Sequence, residues 1–357
     1  MTYCLDIPVG AYHIITAPDH CAWPNLTLLP NGEIAATIFN QPSHGRLEGD
    51  AELWVSSDGG ETWAMRSQIT QHEAGTVRMN VAAGLNQAGE LLVLCSGWDL
   101  SKGTAEWPYG PCLLPQVCLS GDSGNTWEVV GEVQPPTEQG SCTIPFGDIV
   151  INGEELLGSV YAGDNRTWNQ SWVLRSKDGG RTWGEASLID GDNHDETSLL
   201  RSASGRLLAG LRLLQGTAPE NARSSQRPSA PLVLYISDDQ GLTWEPQQYL
   251  SLPGQVPAHL LQLADGTILL TYGSRIPECR GVVGRISRDH GQTWSQPFTL
   301  VAGFMPNSDH GYPSSVQLGD GAIVTAYYCS AAPWYQRYHM GVLRWNLEMV
   351  DTRALGA

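Results

Sequence analysis

The sequence predicts an all-β fold, a six-bladed β-propeller of four-stranded antiparallel blades, and three observations support this prediction. One octapeptide occurs five times, a second tight-turn pattern occurs six times between its copies, and no segment has the hydrophobic period of a helix. The length of 357 residues alone would suggest two or three domains. Because the repeats span nearly the whole chain, we instead predict a single domain over residues 1–357.

The octapeptide fits the pattern S-x-D-x-G-x-T-W in every copy, and successive copies are 64, 56, 61 and 50 residues apart. Ser and Asp side chains can hydrogen-bond nearby backbone amides, and Gly permits positive φ angles. The closing Thr-Trp favours a β-strand, and the indole can cover a sheet edge. We therefore predict a hairpin turn whose aspartates have a structural role, namely Asp58, Asp122, Asp178, Asp239 and Asp289.

The second pattern places a tight turn between two short apolar runs, as in the segments around Gly32 and Gly89. Together the two kinds of turn give four strands in each unit of about 60 residues. Radial repetition of such sheets leaves only short, protected edges, which favours a propeller over an open stack. The segment Tyr12–Thr16 is expected to supply the strand that closes the ring against the last blade.

Charge and cysteine content narrow the possible functions. The chain has 20 basic and 37 acidic residues, which gives a formal net charge of −17. We exclude general binding to nucleic acids and to anionic membranes, since both need a basic surface. The first residues lack the charged and apolar regions of a signal peptide, and the eight cysteines are scattered. We therefore expect a cytoplasmic protein with reduced thiols and with no metal or other cofactor.

The two ends of each predicted blade differ in composition. Residues that precede the first strand of a unit, and residues that follow its second strand, fall on the face opposite the turns. This face collects arginines and histidines although the chain is acidic, which indicates an anionic ligand. The candidate substrate-binding residues on this face are Arg78, Asp99, His194, Arg212, His259, Arg275, Arg280 and His310.

The octapeptide resembles the Asp-box, or BNR, repeat of the sialidase (neuraminidase) superfamily, and the resemblance extends over nearly the whole chain. In that family an acidic residue opens one strand and an arginine ends the next, and the segment containing Glu196 and Arg212 is similar in pattern and spacing. The segment around Tyr312 is similar to that of the family's tyrosine nucleophile. The resemblance implies that Tyr312 attacks the sugar and Glu196 acts as its base. It also implies that Arg212, with Arg275 or Arg280, holds a carboxylate.

Two positions depart from that family. The first arginine of its carboxylate-binding triad is expected before the first blade, where residues 21–24 read Cys-Ala-Trp-Pro, and Arg78 is a candidate replacement. The general acid is expected in the loop before the first octapeptide, where Asp50, Glu48 and His44 are the candidates. Asp50 is preferred, whereas His44 suits acid–base chemistry near neutral pH.

We expect an exo-glycosidase that releases a terminal acidic sugar, sialic acid or a related one, by a retaining mechanism. A sialic acid carries its carboxylate on the anomeric carbon, so a neutral tyrosine is a better nucleophile there than an anionic carboxylate. Arginine binds such a carboxylate through paired hydrogen bonds. One alternative is a propeller glycosidase or polysaccharide lyase acting on uronate- or rhamnose-containing oligosaccharides with a histidine acid/base. Another is a non-catalytic carbohydrate-binding propeller. In all three cases the partner is a glycan, and the oligomeric state is left open.

Overall fold

The computed structural model describes residues 6–105, 107–138, 142–164, 168–214, 229–303, 305, 307–332 and 335–350. Within these ranges the chain forms 24 β-strands and three short 3₁₀ helices, which are Leu100–Lys102, Pro277–Cys279 and Leu347–Met349. None of the helices in the described ranges is long or apolar enough to span a membrane. The predicted all-β fold is confirmed.

The strands follow one another as antiparallel meanders. In chain order they are β1 Tyr12–Thr16, β2 Asn25–Leu28, β3 Ile34–Phe39, β4 Ala51–Ser56, β5 Ala64–Gln68, β6 Thr76–Leu85, β7 Leu91–Asp99, β8 Cys112–Ser120, β9 Glu128–Glu132, β10 Cys142–Asn152, β11 Glu155–Gly163, β12 Asn169–Ser176, β13 Gly184–Asp190, β14 His194–Arg201, β15 Leu207–Leu214, β16 Ser229–Ser237, β17 Glu245–Tyr249, β18 Gln255–Gln262, β19 Ile268–Ser274, β20 Gly281–Ser287, β21 Phe298–Ala302, β22 His310–Gln317, β23 Ile323–Cys329 and β24 His339–Trp345.

Backbone pairing divides these strands into five sheets. Four sheets have four strands each, with the orders β2-β3-β4-β5, β14-β15-β16-β17, β18-β19-β20-β21 and β1-β24-β23-β22. The remaining eight strands form one sheet, in which β10 pairs in parallel with β6 at Gly147 and Asp148. The sequence predicted six separate four-stranded sheets. The structure instead has four of these, and two further meanders are joined because their first strands come close enough to hydrogen-bond.

The first strands of the meanders surround a common centre. Strand β2 contacts β6, β6 pairs with β10, and β10 contacts β14. Strand β14 then contacts β18, β18 contacts β22, and β22 contacts β2, so the order closes on itself. The second strands, such as β3 and β23, are buried throughout, whereas the last strands, such as β5 and β17, are mostly exposed. The centre of this ring is therefore the place where all meanders can contribute side chains.

The strand β1 joins the sheet formed by the last three strands of the chain. It pairs antiparallel with β24 over its whole length, from Tyr12 opposite Arg344 to Thr16 opposite Met340. The predicted closing role of Tyr12–Thr16 is confirmed by this pairing.

The octapeptide turns share one hydrogen-bond pattern. In the first copy the Ser56 hydroxyl donates to Asp58 at 2.8 Å, and the amides of Gly60 and Thr62 donate to Ser56 and Asp58 at 2.8 and 2.9 Å. The other four copies repeat these bonds. In the second copy, hydrogen bonds from the amide and hydroxyl of Thr126 lower the pKa of Asp122 to about 2. The predicted structural role of these aspartates is confirmed, because their carboxylates bind the backbone of their own turn.

Candidate active site

A cavity of about 730 Å³ opens at the ends of the first strands. Each meander contributes to its wall, through residues such as Trp23, Asn80, Phe146, Glu196, His259 and Tyr312. A concave site lined by aromatic groups and a few convergent polar groups is the usual form of a small-molecule site.

Backbone bulges surround this cavity. In five of the six first strands the ladder to the second strand shifts register near the cavity end. A bulge turns a strand locally and redirects its side chains, and bulges are common beside active sites. The shifts lie between Arg78 and Asn80, Phe146 and Val150, His194 and Thr197, Gln255 and Ala258, and Gly311 and Ser314.

Three predicted residues meet inside the cavity. The Tyr312 hydroxyl donates a hydrogen bond to Oε1 of Glu196, and Nη1 of Arg212 donates to Oε2 of the same carboxylate at 2.5 Å. Nε of Arg212 lies 3.8 Å from Oδ1 of Asp195. Glu196 therefore lies between a phenol and a guanidinium, and Arg212 faces two carboxylates.

The backbone holds Tyr312 in an unusual conformation. Its φ is +51°, a region that non-glycine residues rarely adopt, and Gly311 before it has φ of +110°. A Cβ at Gly311 would lie 3.1 Å from the Cα of Gly273, so β22 and β19 approach backbone to backbone here. Strain of this kind persists where the surrounding structure fixes it, and it concentrates at functional sites.

The surroundings of Tyr312 keep its hydroxyl protonated. Burial and the Glu196 carboxylate raise the pKa of Tyr312 well above its usual value, although Arg212 and Arg275 act in the opposite direction. The phenol keeps its proton and donates a hydrogen bond to Glu196. The pair therefore has the arrangement of a weak nucleophile beside its base.

Arg275 is a cation of the cavity wall that forms no ion pair with the described carboxylates. Its guanidinium carbon lies 5.6 Å from the centre of the Tyr312 ring, and its side chain lines the cavity. Within the described part of the chain its side chain has no ion pair, and its buried Nε has no hydrogen-bond partner. Arg275 can therefore bind an anionic ligand group beside Tyr312, and Arg46 is a second wall arginine without an ion pair among the described residues.

His44 and Asp309 form a second polar group in the cavity wall. Nδ1 of His44 lies 3.2 Å from Oδ1 of Asp309, and the hydroxyls of Tyr328 and Tyr338 also donate to Asp309. Burial acts to raise the pKa of Asp309, but these hydrogen bonds and the charge of His44 hold it well below its usual range. An ionised carboxylate therefore orients the His44 ring, which is about half exposed.

Trp23 lies in the segment where the sialidase resemblance would place an arginine. Its ring stacks on Phe39 with centroids 5.6 Å apart, and it contacts His44 edge-on at 4.8 Å. It also lies 6.3 Å from Tyr312, so an aromatic wall separates the two polar groups. The candidate replacement, Arg78, does not line the cavity, because its guanidinium is buried against the carbonyl of Leu114 at 2.7 Å.

The two carboxylates proposed as general acids lie outside the cavity wall. Asp50 is buried and accepts hydrogen bonds from Gln68 and Thr70, and it lies 2.7 Å from Nδ1 of His72. Glu48 accepts a hydrogen bond from the amide of Gly75. Of the three candidates in this loop, only His44 is among the residues that line the cavity.

The other predicted binding residues divide in the same way. His259 lines the cavity, and its Nε2 lies 3.1 Å from Asp148. Three others do not line the cavity and have partners elsewhere in the protein. His194 lies 2.8 Å from Asp190, and Asp99 lies 2.7 Å from Lys102. The ring of His310 lies between the carbonyls of Ser274 and Asn307. Arg280 is also absent from the wall.

The predicted excess of positive charge is not present at this cavity. Among the described residues of its wall, the arginines and the carboxylates are equal in number: Arg46, Arg212 and Arg275, and Asp195, Glu196 and Asp309. No group of three or more His, Cys, Asp or Glu side chains in the described ranges is arranged to hold a metal ion.

Some residues of the cavity were missing from the sequence prediction. Asp309 precedes the segment of Tyr312 and could have been noted as a polar neighbour of His310. Trp107 and Tyr109 come from the long connection between β7 and β8, whose path no sequence pattern indicates.

Two models of known protein families match this sequence, and both describe BNR repeats. The profile described as a BNR repeat-like domain matches residues 14–255, and that of the BNR/Asp-box repeat matches residues 285–296. The chain belongs to the BNR repeat-like family. The predicted membership of the sialidase/BNR superfamily is thereby confirmed. No curated protein matches the chain.

Solved structures share the fold of this BNR repeat-like protein at low sequence identity. A protein of unknown function from Dyadobacter fermentans DSM 18053 is 22% identical, with a TM-score of 0.75 over 96% of this chain and 99% of that one. An α-L-arabinanase from Penicillium chrysogenum is 16% identical, with a TM-score of 0.69 over 97% and 100%. The Hadza microbial sialidase Hz136 is 16% identical, with a TM-score of 0.67 over 92% of this chain and 66% of that one.

Proposed function

We propose that this protein is an exo-glycosidase that releases a terminal acidic sugar by a retaining mechanism with Tyr312 as nucleophile. The observation that carries the proposal is the contact between the Tyr312 hydroxyl and Glu196, whose other oxygen binds Arg212. Glycosidases with similar folds, among them a sialidase and an arabinanase, support the reaction class. We also propose that the eight-stranded sheet represents two blades, so that residues 1–357 form one six-bladed propeller.

In the first step the Tyr312 oxygen bonds to the anomeric carbon while the bond to the leaving-group oxygen breaks. The proton of Tyr312 passes to Glu196, and Arg212 orients that carboxylate. His44, held by Asp309, donates a proton to the departing oxygen. Water then attacks the same carbon and gives a proton to His44, while the bond between that carbon and the Tyr312 oxygen breaks and Tyr312 recovers its proton from Glu196.

Arg275 is proposed to bind the carboxylate of the sugar. Its guanidinium lies beside the Tyr312 ring and has no ion pair in the described part of the chain, whereas Arg212 faces both Asp195 and Glu196. A guanidinium without an ion pair beside Tyr312, together with equal numbers of arginines and carboxylates in the wall, favours a sugar with one carboxylate and an otherwise neutral surface. Sialic acid and a uronic acid both satisfy this description.

The test is a panel of aryl glycosides that carry sialic acid, uronic acids or neutral sugars. We expect turnover of an acidic glycoside, release of the sugar with retained anomeric configuration in NMR spectra, and loss of turnover in Tyr312→Phe. Tyr235→Phe is the matched control, because Tyr235 also donates to a carboxylate, Asp190 at 2.6 Å, but lies outside the cavity wall. Full turnover by Tyr312→Phe would contradict the proposal.

A second candidate is a lyase that acts on uronates, and the His44–Asp309 pair favours it. In a β-elimination Arg275 would neutralise the carboxylate, and His44 and Tyr312 would be the two groups that move protons. This reaction yields an unsaturated sugar that absorbs ultraviolet light, whereas hydrolysis does not. Binding of oligosaccharides with neither product would indicate a propeller without catalysis. The cytoplasmic location remains a prediction from the sequence.

A further inference from the structure

Three aromatic side chains lie together on one side of the cavity. The rings of Trp107 and Tyr109 have centroids 5.2 Å apart, those of Trp98 and Tyr109 are 5.5 Å apart, and those of Trp98 and Trp107 are 6.4 Å apart. All three line the cavity, yet the chemistry of Tyr312 and Glu196 uses none of them. We call Trp98, Trp107 and Tyr109 the aromatic cluster.

The connection from β7 to β8, which carries Trp107 and Tyr109, is held in place by backbone hydrogen bonds, and Trp98 lies at the end of β7. The amide of Asp99 donates to the carbonyl of Pro111 at 2.9 Å, and the amide of Thr104 donates to the carbonyl of Trp107 at 2.7 Å. Gly110 has φ of +60°, and a Cβ there would lie 2.1 Å from the carbonyl oxygen of Asp99. The rings are therefore organised before a ligand arrives, which reduces the entropy lost on binding.

The aromatic cluster adjoins the proposed proton donor. The Tyr109 hydroxyl donates to the backbone carbonyl of His44 at 2.8 Å. A general acid must lie beside the oxygen that it protonates, and this oxygen belongs to the leaving group. The part of the substrate that departs must therefore lie next to His44, within reach of the aromatic cluster.

We propose that the aromatic cluster is a subsite for the leaving group, and that the leaving group is a sugar rather than a small alcohol. This inference rests on the proposed function. Sugar rings have apolar C–H faces that pack on aromatic rings, and Trp and Tyr combine such a face with a polar tip. The cavity of about 730 Å³ lies in the range of roughly 300–1,000 Å³ for sites of drug-sized ligands, so it has room for more than one ring.

The consequence is a preference for disaccharides and longer chains. Binding energy from a part of the substrate that does not react can lower the barrier of the step that does. A glycosyl fluoride has the same terminal sugar but no leaving-group sugar, so it cannot use the aromatic cluster. We therefore expect a higher kcat/KM for the disaccharide than its reactivity alone predicts.

The test compares the disaccharide and the fluoride of the accepted sugar in wild type and in Trp107→Ala. We expect kcat/KM for the disaccharide to fall on the order of tenfold or more and that for the fluoride to stay within about twofold. Trp107→Phe keeps an aromatic ring, so its kcat/KM for the disaccharide should lie between those of wild type and Trp107→Ala. Trp54→Ala is the control, since Trp54 is a half-buried indole on β4 outside the cavity wall.

The outcomes separate this inference from the proposed function. If Trp107→Ala loses kcat/KM equally for both substrates, or for neither, the subsite is overturned. The effect of Tyr312→Phe then still tests the proposed nucleophile separately. If wild type cleaves neither substrate, the proposed function fails, and the subsite is judged by titration of tryptophan fluorescence with the disaccharide. A response that Trp107→Ala loses and Trp54→Ala keeps supports the subsite, and an unchanged response contradicts it.

Discussion

The octapeptide turns and the cavity lie at opposite ends of the meanders, but they are built in contrasting ways. On the turn side, five octapeptides make the same hydrogen bonds, with Ser–Asp and Gly–Ser distances of 2.8 Å in every copy. On the cavity side, the described residues of the wall differ from meander to meander, with Glu196 and Arg212 from one and Tyr312 from another. The repeated side stabilises the fold, and the unrepeated side forms the candidate active site.

The largest effect should come from removing the base on the cavity side. Glu196→Gln keeps the shape of the side chain but cannot accept the Tyr312 proton, so turnover should fall by about 10²–10⁴. Glu52→Gln is the control, because Glu52 also has several hydrogen-bond partners but lies outside the cavity wall. Rates on the preferred aryl glycoside provide the measurement. Activity within a few-fold of wild type would remove Glu196 from the mechanism.

The next effect tests whether His44 supplies the leaving group with its proton. In His44→Gln, turnover of a glycoside with a sugar leaving group should fall by about 10². A glycoside of a strongly acidic phenol needs no proton and should lose little. The comparison of the two rates in one variant is the measurement, and His20→Gln is the control, as His20 pairs with Glu52 away from the cavity. Equal losses on both glycosides would argue against general acid catalysis.

A smaller effect concerns stability between pH 7 and pH 4, where a partly buried histidine outside the cavity wall titrates. Burial, with the nearby charge of His339, lowers the pKa of His13 to about 4. An unfolded histidine binds its proton near pH 6.5, so the unfolded state binds more protons between these values. The free energy of unfolding should therefore fall from about pH 6.5 to about pH 4, by roughly 1.4 kcal/mol per unit at most.

Urea unfolding between pH 7 and pH 4 measures this dependence. His13→Gln should have a shallower dependence than wild type, because it removes one of the groups that bind protons on unfolding. Burial also lowers the pKa of His310 to about 4. The His13→Gln variant therefore keeps part of the dependence of its unfolding free energy on pH. An identical slope in wild type and His13→Gln would show that His13 titrates alike in both states.

The smallest effect should come from a single turn. Ser56→Ala leaves the buried amide of Gly60 without its acceptor, so the free energy of unfolding should fall by about 1–3 kcal/mol. Turnover should not change, because the turn lies at the other end of the strands. Ser287→Ala makes the same change in the fifth copy and should behave alike. A loss of activity without a loss of stability in either variant would mean that the two sides are not independent.

Much of the fold could be predicted because its signals repeat. The octapeptide turns could be predicted because the same motif occurs five times in the sequence. The pairing of Tyr12–Thr16 with β24 could be predicted because the repeated units imply a closed ring whose last sheet needs one more strand. The meeting of Tyr312, Glu196 and Arg212 was also predicted, because the sialidase resemblance places Glu196 and Tyr312 on first strands and Arg212 on the strand that follows Glu196. The parallel pairing at Gly147 was not predicted, because it depends on how closely two first strands approach.

The loops of the cavity could not be predicted to the same degree. Asp50 and His44 lie six positions apart in one loop, and only the folded path decides that His44 faces the cavity. Asp50 instead contacts His72, a partner from the next connection. Tertiary contacts of this kind leave no local pattern, and the equal numbers of arginines and carboxylates in the wall follow from them.

The pairing of β1 with β24 has a consequence for how the molecule folds. These strands are separated by more than 300 positions of sequence, so their sheet depends on some of the most distant contacts in the chain. Contacts between distant segments are slow to form, because a long loop must close before any of them stabilises the structure. During synthesis the ring of first strands can assemble in order, but the last sheet is incomplete until residue 345 has been made. Until then β1 has no strand to pair with, and its open edge is exposed to association with other chains.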